Sequence, residues 1–143
     1  MAYWKFISTE KTETECFLRR LFGHTDRVVR ETGEALRVAE GDTLFLHQWR
    51  RDSRGYLSGP FVAASDAGKW LQETAWKHKN NHIYWQVEID WDQPIYSVSV
   101  AKIEQLDSQP LTVEDHPQPL SDVTGLWLEG FLKNEGIQTV HHP

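Results

Sequence analysis

Apolar and polar positions alternate most cleanly between His82 and Trp91, where Ile83, Trp85, Val87, Ile89 and Trp91 share one side and Tyr84, Gln86, Glu88 and Asp90 the other. A period of two predicts a half-buried strand. Tyr3 to Ser8 (YWKFIS), Thr43 to Trp49 (TLFLHQW), Tyr56 to Ala64 (YLSGPFVAA) and Ile95 to Ile103 (IYSVSVAKI) are rich in residues that suit a pleated surface and predict further strands. Arg50 to Gly55 is polar and ends in glycine, which makes a hairpin loop between two of them. Pro60 has no N–H to donate, so it belongs at a sheet edge or a bulge. From Thr14 to Gly23 the spacing changes: Phe17 with Leu21, and Leu18 with Phe22, stand four apart and predict one helical stripe stopped by Gly23. A weaker helical stretch spans residues 26–38. Ser121 is an N-cap with Asp122 in the first turn, and Val123, Leu126, Trp127, Gly130 and Phe131 form the apolar stripe of a last helix ending near Asn134. Residues 107–119 hold three prolines and read as an extended connector, residues 65–81 as a long loop. The expected fold is α+β, a small, strongly curved mixed sheet or incomplete barrel flanked by two or three helices. One domain over residues 1–137 is expected, with 138–143 as a flexible tail.

Composition narrows the class. With 143 residues, 39% hydrophobic and seven tryptophans, the chain can build one packed core and is not a disordered one. No apolar run is long enough to span a bilayer, and the N-terminal residues are too polar for a signal peptide, so a soluble, cytoplasmic protein is expected. A single cysteine, Cys16, allows no internal disulfide. The net charge of −6 speaks against bulk coating of nucleic acid. The acids are concentrated beyond residue 80, however, and residues 19–79 carry 11 Lys or Arg against 8 Asp or Glu. A local basic face is compatible with that asymmetry.

Enzyme chemistry finds little support. Cys16 sits in apolar helical sequence, where a thiol acts as a small hydrophobe, and there is no nucleophile elbow or glycine-rich phosphate loop. His78 and His82 are four apart, but Asn80 and Asn81 between them favour a turn, so neither a metal nor a cofactor is expected. Trp85, Trp91 and Trp127 are expected in the core. Trp49, Trp70 and Trp76 stand at a strand end or in polar sequence beside Arg50, Arg51, Arg54, Lys69, Lys77 and Lys79. Flat aromatic faces among cations suit a stacked base and its phosphates.

Several stretches, in order, resemble one family. TECFLRRLFG, EGDTLFLHQW, GPFVAAS, the pair Ala75 and Trp76, and YWQVEIDWDQPI follow the order and spacing of a DCD domain, a member of the PUA-like group that includes YTH and EVE domains. The resemblance covers about residues 3–103. It implies a curved sheet or incomplete barrel, and, from the YTH and EVE relatives, a non-catalytic reader that flips one modified base into an aromatic cage beside a basic groove. Carried over by position, the cage would comprise Ser8, Thr9, Phe22 and Trp70 or Trp76, with Ser65 and Asp66 reading polar edges of the base and Trp49 beside them. Phe22 stands where YTH domains usually have tryptophan. Arg19, Arg20, Arg50, Arg51, Arg54, Lys69, Lys77 and Lys79 would hold the backbone. The implied ligand is a methylated cytosine or adenine, with DNA favoured over RNA, and the implied companion is a fused or associated nuclease or NTPase of modification-dependent restriction. The alternative is an adaptor of stress signalling that takes a peptide in the same groove.

Overall fold

The computed structural model describes residues 1–25, 27, 29–30, 36–76, 83, 85–91 and 94–139. Strand β1 (Tyr3–Ser8) is followed by helix α1 (Glu13–Leu18), then β2 (Leu21–His24), β3 (Thr43–Gln48), β4 (Tyr56–Ala63), β5 (Gly68–Lys69), β6 (Trp85–Asp90) and β7 (Ile95–Ser99). Helix α2 (Val100–Glu104), β8 (Gln118–Leu120), helix α3 (Asp122–Glu135) and β9 (Ile137–Thr139) complete the described chain. The strands form one mixed sheet in the order β2-β6-β4-β3-β1-β8, in which β1 and β3 run parallel. The sheet curls into a half-barrel. Its bend is at β4, which pairs with β7 over Tyr56–Gly59 and with β6 over Val62 and Ala63. Pro60 lies in that changeover, opposite the register shift between Leu44 and Leu46, as expected of a residue that cannot join a ladder.

The concave side holds an aromatic core with Phe6, Phe22, Phe61 and Trp76, and the convex side an aliphatic one with Leu57, Val98, Ile103, Leu128 and Leu132. Cys16 is in the first of these, where burial pushes its thiol pKa up.

Several local expectations are corrected. The helix expected to reach Gly23 stops at Leu18, because Arg20 takes a left-handed backbone conformation (φ 51°) and its carbonyl accepts the N–H of Ile89. Leu21 and Phe22 are therefore strand residues paired with Glu88 and Val87, and Leu18 is exposed. The strand expected over 95–103 ends at Ser99, whose side chain accepts the N–H of Lys102 and caps α2. Ser121 caps α3 as expected, accepting the N–H of Thr124, but the helix buries the opposite stripe. Thr124, Gly125, Leu128 and Leu132 face the core, while Val123 and Leu126 are 72% and 60% exposed. Gly125 decides this orientation: it lies against the Tyr3 ring, and a Cβ there would overlap the ring. Trp85 is half-buried at the surface, stacked on His24 with Lys69 Nζ 4.7 Å from its ring centroid. Trp91 and Trp127 are half-buried against the aromatic and aliphatic cores respectively. Gln138 and Thr139, placed in the expected tail, pair with Tyr96 and Ile95.

Candidate functional site

The two edges of β1 are paired unequally. On one side β3 accompanies the strand from Tyr3 to Ser8; on the other, β8 covers only Tyr3 to Lys5. Pro119 lies opposite Trp4 and has no N–H, so Tyr3 and Lys5 are the residues that direct their main-chain groups towards β8. The two-residue alternation of a strand then turns the N–H and C=O of Ile7 to the same edge, beyond the end of β8. Ser8 turns its carbonyl the other way, where it accepts the N–H of Trp49. Past the end of β8, along this edge, a cavity of about 580 Å³ opens.

Four segments distant in sequence line it. Ile7, Ser8, Thr9 and Thr12 come from the end of β1 and the turn into α1; Gly23, His24 and Thr25 from the end of β2; Arg27 and Ile83 stand nearby; Glu114 to Pro117 form the remaining wall. Ser8 is 2% exposed and its hydroxyl has no hydrogen-bond partner among the described residues. An orphaned buried hydroxyl carries a desolvation cost that a ligand could relieve. Gly23 is needed for space, since a Cβ there would stand 2.7 Å from Ile83 Cγ2 and 3.2 Å from Trp76 Cζ3. His24 accepts the N–H of Leu36 at Nε2, which leaves Nδ1–H to donate to the Thr25 carbonyl at 2.9 Å. Both ring nitrogens are thereby engaged, and the neutral imidazole is held between Phe6 and Trp85.

The electrostatics are mixed, with Arg27 on one side and Glu114 and Asp115 on the other. Asp115 is held by Arg54 at 2.8 Å, and the hydrogen bond from that guanidinium lowers its pKa below the usual carboxylate range. Among the described residues, no group of three His, Cys, Asp or Glu is placed to hold a metal ion. No helix there is long and apolar enough to cross a membrane.

A family model described as the development and cell death domain matches residues 4–114. The chain belongs to that family. No curated protein matches it. Among solved structures, the chain is similar to the crystal structure of the Pho92 YTH domain in complex with m6A, with a TM-score of 0.63. The two are 14% identical, over 99% of this chain and 90% of that one. At such identity the likeness is one of fold, a YTH-like half-barrel.

In this development and cell death domain only Ser8 and Thr9 of the expected cage residues line the cavity. Phe22 is fully buried between Phe6 and Phe61, with ring centroids 5.8 and 5.0 Å away. Trp76 is 1% exposed and donates its indole N–H to the Thr12 carbonyl at 2.9 Å. Neither ring presents a face to a ligand. Both are corrected to core residues, and Trp76 supports Thr12 and Gly23 from behind. Trp70 is exposed, with φ 57°, and lies outside the lining of this cavity. Trp49 is half-buried beyond the end of β3. Ser65 accepts the N–H of Glu88 and donates to the Asp66 carbonyl, while Asp66 accepts the N–H of Glu40. These two residues organise the turn after β4, and Asp66 borders a different cavity, beside Val38 and Trp85.

The expected basic groove is not assembled from the described cations. Arg19 pairs with Glu15, Arg20 with Asp90, Arg50 with Glu13, and Arg54 with both Glu104 and Asp115. Arg20 also lies over Trp91, and Lys69 over Trp85. Arg50 borders a separate cavity, beside Tyr56, Ser97 and Lys102. Arg51 is exposed in the β3–β4 loop. Lys77 and Lys79 lie outside the described residues. Glu114 to Pro117 were hidden in the proline-rich connector, which carried no signal beyond extension.

Proposed function

We propose that this domain is a non-catalytic reader of a modified nucleobase, held in the cavity between the ends of β1 and β2. The observation that carries the reading is the buried, unpartnered Ser8 hydroxyl beside the Ile7 main chain, at a sheet edge left without a strand partner among the described residues. A hydroxyl with a neighbouring N–H and C=O offers donors and acceptors to the edge of a flat heterocycle, the pattern used for bases taken out of a stack. The likeness in fold to a YTH domain in complex with m6A supports the same reading. Because Arg19, Arg20, Arg50 and Arg54 are engaged by carboxylates, the base rather than the phosphate backbone would supply most of the selectivity.

The test is an anisotropy titration with matched short DNA and RNA strands carrying adenine, N6-methyladenine, cytosine or 5-methylcytosine. One modified strand should bind about tenfold more tightly than its unmodified counterpart, a difference on the scale of one or two buried hydrogen bonds. Thr9→Tyr, which places a ring at the cavity mouth, should abolish that preference. Equal, weak binding to every strand, indifferent to the substitution, would reject the reading.

A further inference from the structure

We propose that Lys5 is a positioning residue for the Glu114–Pro117 wall of the cavity, which it clamps from beneath together with Arg54. Lys5 is fully buried on β1, yet its ammonium bonds no carboxylate among the described residues. It donates instead to two main-chain carbonyls, those of Glu114 at 2.7 Å and His116 at 3.0 Å. Arg54, in the β3–β4 loop, donates to the Val113 carbonyl at 2.9 Å and pairs with Asp115. Gln118 adds a bond to the Thr112 carbonyl and accepts the N–H of Glu114.

The wall itself is neither helix nor strand, so its main-chain groups need partners from outside any ladder. Side chains supply them at residues 112, 113, 114 and 116. Drawing these carbonyls inwards fixes the path of the segment where it borders the cavity. Charge-assisted bonds of this kind are stronger than neutral ones.

Burial lowers the pKa of Lys5 to about 7, against the opposing pull of Asp115 and Glu114 and with a smaller contribution from Arg54. Three further titratable groups face this cluster: Glu104 pairs with Arg54, His116 stands in the wall with Nε2 4.0 Å from Glu114, and His47 donates Nε2–H to the Arg54 carbonyl, where burial lowers its pKa. His47 is therefore a neutral neighbour of Lys5, and the clamp rests on the hydrogen bonds that Lys5 and Arg54 donate.

The consequence for ligand binding rests on the base-reader assignment; the clamp itself does not. In Lys5→Met, replacing a buried charge by an apolar side chain of similar length should leave a folded protein. Amide exchange in a peptide spanning residues 113–118 should accelerate about tenfold, the scale of losing a charged hydrogen bond, with β3 and β4 unchanged. Affinity for an N6-methyladenine strand should fall by a similar factor. If Lys5→Met does not fold, Arg54→Gln is read by the same peptide. Unchanged exchange in the folded variant overturns the clamp. Faster exchange with unaltered affinity, in a protein that binds the strand, overturns the positioning role. Absence of strand binding by the unsubstituted protein defeats the base-reader assignment alone, and the exchange measurement still decides the clamp.

Discussion

The two halves of the outer edge of β1 carry the same kind of sequence and serve different ends. From Tyr3 to Lys5 the edge is covered by β8, and beneath it Tyr3 packs on Phe45 and on Gly125 of α3. From Phe6 to Ser8 no strand joins that edge among the described residues, and the cavity begins there. Pairing satisfies main-chain groups and stabilises the fold; leaving a strand end uncovered keeps such groups available. On the proposed function, stability and recognition are thus divided along one six-residue strand.

Gly125→Val should break the covered half and have the largest effect. The new side chain must displace the Tyr3 ring, and overpacking of this kind costs roughly 1–3 kcal/mol, readable as a lower urea midpoint. An unchanged midpoint would mean that α3 does not rest on β1 as described.

The boundary residue Lys5 sharpens the comparison through pH. Its pKa is about 7 in the fold against an ordinary value of 10.5, so above pH 7 the unfolded chain binds the proton that the folded one has released. Stability should therefore rise with pH from about 7, by at most about 1.4 kcal/mol per pH unit. The rise should fade above about pH 8.5, where the buried Cys16 thiol, its pKa raised, acts in the opposite sense because the unfolded chain ionises first. Denaturant titrations at pH 6.5, 7.5 and 8.5 measure this, and a Lys5→Met protein should show a flatter profile.

Ser8→Ala addresses the uncovered half and should have the smallest effect on stability. Its hydroxyl has no partner among the described residues to lose, so the change should lie within about 1 kcal/mol of zero, while selective binding of a modified strand weakens. Destabilisation well beyond that range would move Ser8 from the site into the scaffold.

Much of the architecture was legible along the chain, and the reason differs from element to element. The alternation in Trp85–Asp90 and the Ser121 cap of α3 are local signals, and both elements formed. Leu21 and Phe22 misled because a spacing of four from Phe17 and Leu18 suits a helix, whereas their pairing with β6 lies more than sixty residues away. The last helix carries apolar residues on two stripes, and only contact with Tyr3 selected the one containing Gly125. Trp76 followed the same logic: polar neighbours in sequence suggested exposure, yet a bond to Thr12 and packing in the aromatic core bury it.

Of the residues that line the cavity, the family resemblance named Ser8 and Thr9 and none of the wall opposite them. By itself the sequence determined a curved α+β fold, because strand alternation, turns and helix caps are short-range properties, and its ordered motifs carried the resemblance to this family. Tertiary structure alone decided which tryptophans are buried, which carboxylates Arg19, Arg20, Arg50 and Arg54 take, and where the cavity lies. Those outcomes depend on residues such as Lys5 and Glu114, separated by more than a hundred positions and brought within 3 Å only when the half-barrel curls.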